Sequence, residues 1–208
     1  MSQSSYSRPM NMNDSSHPER GREHHLCPWW LGYLLANPVR RLVESPERLL
    51  APYVQPGMTV VEPGCGMGFF TLPLARLVGP GGRVVCADLQ PKMIAGLKRR
   101  AARAGLAGRI VTVVCSSDDL GLGQWNGSAD LAVAIHMVHE VPDQEHLLRQ
   151  LHATLRPGGL LLVIEPKGHV SQDDFARSLA AGERAGFTRT DRVGSGRKLE
   201  AALAKRAG

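Results

Sequence analysis

The stretch Val60-Val61-Glu62-Pro63-Gly64-Cys65-Gly66-Met67-Gly68 decides the fold of this chain. An apolar run ends in an acidic residue, and three glycines follow at alternate positions. Glycine lets the backbone turn sharply and approach a ligand closely, because no Cβ intervenes. The stretch therefore predicts a buried strand and a tight ligand-binding turn, with a helix over residues 69–77 behind them.

The spacing of these glycines counts against two common nucleotide-binding loops. A dinucleotide-binding loop reads G-x-G-x-x-G, whereas here the third glycine comes one position early and residue 69 is Phe. A phosphate-binding loop of the Walker type needs Gly-Lys-Ser/Thr, which is absent from this stretch. A dehydrogenase using NAD is thus the least favoured reading of the loop.

Outward from this stretch, short apolar runs alternate with helical segments of ten or more residues. Strands are predicted over 58–62, 83–88, 109–115, 129–135 and 160–165, and helices over 92–103, 143–155 and from a cap at Ser171 or Asp173 to about 185. This alternation is typical of a parallel sheet covered on both faces. Residues 187–193 and 198–205 fit two closing strands, although the second segment has helix-forming residues, so its type stays open. Ligands of such sheets bind beyond the carboxyl ends of the strands.

The glycine stretch resembles the first motif of class I S-adenosylmethionine (SAM)-dependent methyltransferases, roughly hydrophobic-x-Asp/Glu-x-Gly-x-Gly-x-Gly. The resemblance continues in the family's order over residues 56–193, and is nearest to the small-molecule branch that includes the quinone-biosynthesis C-methyltransferases (methyltransferase type 11). It implies an α/β fold, Rossmann-like and doubly wound, with a mostly parallel seven-stranded sheet and helices on both faces. The further matching segments are 84–88, 115–120, 130–135 and 155–164.

The resemblance also implies SAM as cofactor and assigns residues to it. Backbone groups of the glycine turn would meet the methionine portion, Glu62 the ammonium group and Asp88 both ribose hydroxyls. Asp88 could instead serve as the carboxylate at the start of the helix opened by Pro91. Residue 116 is Ser where the family pattern has an aspartate, so the adenine contact is open among three neighbours. The expected cofactor-binding set is Glu62, Gly64, Gly66, Gly68, Asp88, Leu89, Met93, Ser116, Ser117, Asp118 and Ile135.

Candidate catalytic residues follow the fourth predicted strand, where this family points the methyl group. His136 and His139 lie there, and histidine is the natural proton acceptor near neutral pH. The alternative is that one histidine packs under the cofactor and the other caps the next helix. Glu165 and His169 follow the fifth strand and would share the same sheet edge, as substrate-binding groups. A divalent metal there is an alternative, although the spacing matches no closed metal motif.

Three segments are expected along the chain: a flexible tail over 1–24, a helical lid over 25–52, and the SAM-binding domain over 53–208. Trp29 and Trp30 lie in the lid segment and could stack on a flat or apolar substrate, or dock on the sheet as core. A helix over 39–50 is expected to be interrupted by Pro46.

Composition limits the remaining possibilities. The 208 residues fit one domain with appendages, and the formal charge of +6 is spread out, which makes a nucleic-acid partner an unfavoured expectation. Four cysteines without a CxxC pair favour a reducing cytoplasm. No stretch has the length of a membrane span or the apolar core of a secretory signal. Oligomeric state is left open.

These observations predict an enzyme that transfers a methyl group from SAM to a small-molecule acceptor. An RNA or protein methyltransferase is the first alternative, but no Asn/Asp-Pro-Pro-Tyr-type motif for a flipped base follows the fourth strand. A non-catalytic module that binds SAM or a nucleotide is the second. The acceptor and the atom methylated are not indicated by the sequence.

Overall fold

A computed structural model describes residues 45–193 and 199–207 of the chain. The predicted tail, most of the predicted lid segment, and Trp29 and Trp30 lie outside the described residues. Among the described residues, no helix has the length and apolar character needed to cross a membrane.

The described residues form one seven-stranded sheet with the order β3-β2-β1-β4-β5-β7-β6. Strands β1 to β5 run parallel, and β7 lies antiparallel between β5 and β6. The predicted α/β fold class, with its mostly parallel seven-stranded sheet, is confirmed. The strands are β1 Thr59–Pro63, β2 Arg83–Asp88, β3 Ile110–Val114, β4 Ala129–Ile135, β5 Leu155–Glu165, β6 Phe187–Val193 and β7 Leu199–Lys205.

Helices cover both faces of the sheet. Side chains of α1 to α3 pack in one apolar cluster, which includes Leu50, Leu74 and Leu97. Those of α4 and α5 pack in a second cluster, which includes Leu151 and Leu179. The helices are α1 Pro46–Leu50, α2 Thr71–Leu77, α3 Pro91–Arg103, α4 Gln144–Thr154 and α5 Gln172–Arg184.

Successive side chains of the central strands point to opposite faces of the sheet, and both faces are covered. This explains why the sequences of these strands are continuously apolar. In β1, Val60 belongs to the cluster under α1 to α3 and Val61 to the cluster under α4 and α5. In β4, Val133 and Ala134 divide in the same way. Successive side chains point to opposite faces of a strand, so a strand covered on both sides must be apolar throughout.

Two helix starts follow from local chemistry. The hydroxyl of Ser171 accepts a hydrogen bond from the backbone N–H of Asp174, which makes Ser171 the N-cap of α5. Pro46 does not interrupt a helix within the described residues; it stands in the first turn of α1, after the N-cap Ser45. Proline is tolerated there because its missing N–H would have no intrahelical partner.

The fifth strand begins earlier than predicted and contains an irregularity. Leu155 pairs with Ala129 and Leu160 pairs with Leu131, so β5 carries extra residues between two points of register with β4. The sequence Pro157-Gly158-Gly159, which is typical of a turn, lies in this bulge, where Gly158 has a φ of +76°. The turn is therefore absorbed into the strand rather than preceding it.

Residues 198–205, whose secondary structure the sequence left undecided, contain the strand β7. Six of its residues pair with β5, from Leu199 opposite Glu165 to Ala204 opposite Leu160. Pairing on both sides outweighs the helix propensity of its Leu, Glu and Ala residues. At the end of β7, the Lys205 ammonium donates to the carbonyl of His152 at 2.9 Å and to that of Leu155 at 2.7 Å. Lys205 thus satisfies carbonyls at the end of α4.

We expect Lys205→Met to lower the free energy of unfolding by about 1–2 kcal/mol, because two carbonyls lose a charged donor. Urea unfolding followed by circular dichroism measures the change. Lys98→Met, on the exposed side of α3, is the control and should shift the midpoint little. Equal midpoints for the two variants would contradict the capping role of Lys205.

Candidate functional site

The glycine turn between β1 and α2 forms one wall of the candidate site. Gly64, Gly66 and Gly68 have φ values of +66°, +53° and +82°, which side-chain-bearing residues rarely adopt. A Cβ on Gly68 would lie 2.4 Å from Leu97 Cδ1, so Gly68 lets α3 pack closely. A Cβ on Gly66 would meet nothing within 4 Å. Gly66 therefore borders open space on the ligand side of the turn.

Glu62, on β1 just before this turn, is a buried carboxylate with an unused oxygen. Its exposed fraction is 4%, and its Oε2 atom has no hydrogen-bond partner in the part of the chain that the structure describes. The pKa of Glu62 is raised to about 8, chiefly because of its burial; the Thr71 side chain opposes the rise and the charge of Asp88 adds to it. A cationic group brought to Oε2 would compensate this burial.

Asp88 ends β2 and fastens the glycine turn to it. Its Oδ2 accepts from the backbone N–H of Gly66 at 2.8 Å, and its Oδ1 accepts from that of Gln90 at 2.9 Å. Burial raises the pKa of Asp88, while the bonds from Gln90 and Gly66 oppose the rise. Each carboxylate oxygen has a second lone pair, so the predicted ribose contact is compatible with the loop contacts.

The apolar side chains of the predicted cofactor-binding set, those of Leu89, Met93 and Ile135, differ in accessibility. Leu89, after β2, is 38% exposed, so its side chain offers apolar surface beside Asp88. Met93 and Ile135 are buried, at 5% and 8% exposure, and belong mainly to the core. Leu89 is thus the most accessible of the three to a bound ligand.

The loop after β3 holds the predicted adenine-edge residues in a compact turn. The Ser116 hydroxyl accepts from the backbone N–H of Asp119 at 3.0 Å, and the backbone carbonyl of Asp118 accepts from His146 Nε2 at 2.7 Å. The backbone N–H of Cys115 donates to the Asp88 carbonyl, which joins this loop to β2. Ser116, Ser117 and Asp118 are all exposed. No sequence pattern indicated that α4 supports this loop.

His136, directly after β4, has a left-handed backbone with a φ of +56°. Its backbone N–H donates to the Ile164 carbonyl at 2.7 Å. Its ring lies edge-on to Phe70, with the centroids 5.9 Å apart. Phe70 belongs to the cluster under α1 to α3, so His136 lies on that side of the sheet. A non-glycine residue in this conformation is uncommon and clusters at functional sites.

His139 belongs to the other side of the site, in a short 3-10 helix over Val138–Glu140. Its Nδ1 lies 2.7 Å from Glu165 Oε2, and its backbone N–H donates to Glu165 Oε1 at 3.1 Å. The prediction that Glu165 binds substrate needs correction, because this carboxylate is 0% exposed and bonded to His139. Burial raises the pKa of Glu165, and the charge and hydrogen bonds of His139 oppose the rise.

His169, the other substrate-binding residue predicted after β5, lies in a different environment from the buried Glu165. His169 is exposed in the turn after β5, where its backbone N–H donates to the Pro166 carbonyl. Within residues 45–193 and 199–207, no group of three or more His, Cys, Asp or Glu side chains is arranged to hold a metal ion.

Two contacts at this sheet edge were not predicted from the sequence. The Met137 side chain lies against the glycine turn, 3.4 Å from where a Cβ on Gly64 would be. The Tyr53 hydroxyl donates to Glu200 Oε1 at 2.9 Å and joins the chain after α1 to β7. Tyr53 and Glu200 are 147 positions apart in the sequence, so no local sequence pattern predicts their contact.

The residues present fit SAM. The open side of the glycine turn matches the methionine portion of SAM, and the unused Glu62 oxygen matches its ammonium group. The Asp88 carboxylate matches the ribose, and the apolar surface of Leu89 matches the adenine. When bound, SAM supplies a methyl group activated by a sulfonium. Fold and site together agree with the resemblance to class I methyltransferases.

Comparison with known proteins agrees with this class. Residues 60–159 match the family described as "Methyltransferase domain". The ubiquinone/menaquinone biosynthesis C-methyltransferase UbiE of Klebsiella pneumoniae is 31% identical over 112 residues, which are 54% of this chain and 44% of the relative. UbiE of Pasteurella multocida is 30% identical over 54% of this chain and 41% of its own length. The chain therefore spans less than half the length of these curated relatives.

Solved structures share the fold. A SAM-dependent methyltransferase from Aquifex aeolicus superposes with a TM-score of 0.75 at 20% identity, covering 88% of this chain and 100% of that one. A SAM-dependent O-methyltransferase from Thermotoga maritima gives 0.63 at 17% identity, covering 84% and 72%. The chain thus matches a methyltransferase domain over residues 60–159 and shares the fold of solved SAM-dependent methyltransferases.

Glu62→Gln should stabilise the ligand-free protein increasingly as pH rises. The folded pKa of about 8 lies above the ordinary 4.5, so the folded carboxyl stays protonated while the unfolded one ionises. Wild-type stability contributed by this group is therefore lost between about pH 4.5 and 8. We expect the Gln variant to unfold several degrees above wild type at pH 8.

Thermal unfolding at pH 5.5, 7 and 8.5 checks this expectation. The gap between variant and wild type should widen over the series. Asp173→Asn replaces an exposed carboxylate of α5 and should show a gap that is constant over the same pH values. A constant gap for Glu62→Gln would contradict the raised pKa.

Proposed function

We propose that this protein is a methyltransferase that transfers the methyl group of SAM to a small-molecule acceptor. The observation that carries the proposal is the cradle at the ends of β1 and β2. There a left-handed glycine turn, a buried carboxylate with a free oxygen and a second carboxylate that fixes the turn lie together. Such a set suits one ligand with an ammonium group and a ribose.

The relatives support a small acceptor. The curated relatives are named as C-methyltransferases of ubiquinone and menaquinone biosynthesis, so a quinol-like ring is the first acceptor to test. After β4 the chain continues His136-Met137-Val138, without the Asn/Asp-Pro-Pro-Tyr-type motif used on flipped bases. These points favour a small molecule over RNA.

The two histidines after β4 are the proposed catalytic residues. His136 and His139 stand at the carboxyl end of the sheet, beside the glycine turn that Met137 contacts. Methyl transfer needs proximity and alignment, and a base when the acceptor must lose a proton. Trp29, Trp30 and His169 remain proposed substrate contacts.

The free thiols support a cytoplasmic setting as a further part of the proposal. Cys65, Cys86 and Cys115 are all unpaired. Unpaired cysteines are typical of reducing compartments.

Asp88→Ala should weaken SAM binding at least tenfold, because the variant loses the ribose acceptor and releases Gly66. Calorimetric titration with SAM and S-adenosylhomocysteine, with NAD as a negative ligand, measures this. Saturable binding by wild type that the variant loses would support the methyltransferase. Failure of wild type to bind either compound would overturn it, and binding without transfer to any acceptor would favour the non-catalytic module.

Asp130→Ala is the matched control for this titration. Asp130 also ties a backbone N–H to the sheet, accepting from Thr59 at 2.8 Å, but it lies at the opposite end of β4. We expect this variant to lose some stability and to keep its affinity for SAM. Equal losses of affinity in both variants would mean that general loosening, and not the ribose contact, weakens binding.

A further inference from the structure

Strand β3 forms one edge of the sheet and directs backbone groups outward from it. Among the described strands it pairs with β2 alone, in continuous register from Ile110 to Val114. The backbone N–H of Cys115, just after the strand, donates to the Asp88 carbonyl, towards β2. Because successive residues of a strand direct their backbone groups to opposite sides, those of Thr112 and Val114 point away from β2. Such outward groups can pair with another extended chain.

The two edges of the sheet differ in how they resist such pairing. The opposite edge, β6, carries the charged residues Arg189 and Asp191, and its register with β7 is interrupted between Arg189 and Val193. Charges and irregular pairing are means by which edge strands avoid association. The sequence of β3, Ile-Val-Thr-Val-Val, has neither a charge nor a proline, and Val114 is 51% exposed. The β3 edge therefore lacks the protection that β6 has.

A cavity lies beside β3, on the side of the sheet that α3 covers. Its volume is about 330 Å³, and its lining residues are Lys98, Ala101, Ala107, Ile110 and Thr112. Most of this lining is apolar, and Lys98 is the cation among the lining residues. A strand added to β3 would place every second side chain over this face. One such side chain would enter the cavity, and the next on the same face would come near the Lys98 ammonium.

The surface around this cavity is cationic. Residues 89–115 contain six Lys and Arg and no Asp or Glu. Two of these cations, Arg100 and Arg109, donate to backbone carbonyls, whereas Lys98 and Arg103 are exposed. A surface of one charge sign attracts a partner of the opposite sign and repels one of the same sign. The partner of this face is therefore expected to be acidic.

Charge also decides between the possible occupants of the β3 edge. A second copy of the chain, paired through its own β3, would bring two cationic faces together. Residues 1–44 of the chain contain five Arg and four Asp or Glu, so they offer no net negative charge. A segment of another protein with carboxylates on both sides of apolar residues fits the cavity and its charge.

We propose that the β3 edge binds an extended acidic segment of a partner protein as an eighth strand of the sheet. The backbone groups of Thr112 and Val114 pair with the segment, an apolar side chain enters the cavity, and a flanking carboxylate meets Lys98. Binding of this kind takes its affinity from main-chain hydrogen bonds and its selectivity from alternate side chains. The interaction is additional to the proposed methyl transfer and does not depend on it.

A synthetic peptide tests the backbone part of this proposal. The probe is Glu-Glu-Val-Val-Val-Glu-Glu with a neutral fluorophore, and its binding to the full chain is measured by fluorescence polarisation. We expect saturable binding that weakens roughly tenfold with Thr112→Pro, which removes an outward N–H without removing a bond to β2. Thr112→Val loses the same hydroxyl but keeps the N–H, so it is the matched control and should bind like wild type.

Charge variants test the contact with α3. Lys98→Glu should weaken peptide binding roughly fivefold, because an attraction becomes a repulsion, and added salt should reduce this difference. Arg177→Glu makes the same change of charge on α5 and should leave the affinity unchanged. Equal losses in the two variants would contradict a contact at Lys98. Tighter binding of a single-stranded RNA oligonucleotide than of the peptide would assign the cations to nucleic acid instead.

Two N-methylated forms of the peptide separate strand pairing from charge attraction and need no variant of the protein. Each carries N-methyl groups on every second residue, in opposite phase, so one form blocks the edge that faces β3 and the other blocks the outer edge. We expect the first form to lose binding and the second to keep it. Equal binding of all three peptides, or no binding of the unmodified peptide to wild type, overturns the inference.

Discussion

The bond between the Asp88 carboxylate and the Gly66 N–H is the contact on which the site depends. It joins the end of β2 to the turn after β1, and the second Asp88 oxygen holds the Gln90 N–H at the start of α3. One buried carboxylate thus fixes two strands, one turn and one helix relative to each other. The turn can keep its left-handed glycines because the loop is tied at its middle.

Three buried carboxyl groups lie at the carboxyl ends of β1, β2 and β5, and each is compensated differently. Asp88 takes two backbone N–H groups, and Glu165 takes the backbone and ring of His139. Glu62 has an oxygen without a partner in the described part of the chain. Burying a carboxyl group is costly unless its oxygens are paired, so the member with an unpaired oxygen marks a position where a ligand completes the pairing. The uneven compensation separates structural carboxylates from a ligand-binding one.

Sequence patterns predicted the regular parts of this fold well. The apolar runs of β1, β2 and β4 and the helix α3 appear close to their predicted bounds, because strong periodicity and glycine signals are local. The type of β7 could not be predicted, since its pairing with β5 is a distant contact. The bulge before Leu160 could not be predicted either, because a Pro-Gly-Gly sequence gives no information on the register between β4 and β5.

The sequence predicted which residue types lie at the site better than it predicted how they are arranged. The residue types at the strand ends were identified, but the division of His136 and His139 between the two faces was not. That division depends on the left-handed backbone of His136, which sequence does not signal for a histidine. Glu165 looked available from its place in the chain, and only the structure shows that it is enclosed with His139.

The position of β7 between β5 and β6 sets an order for folding during synthesis. β6 leaves the ribosome before β7, yet among the described strands β7 is the one that pairs with β6. The nascent chain must therefore hold β6 unpaired until the later strand emerges and slides in beside β5. Five parallel strands can assemble while translation continues, whereas this side of the sheet closes only after residue 205 has cleared the exit tunnel.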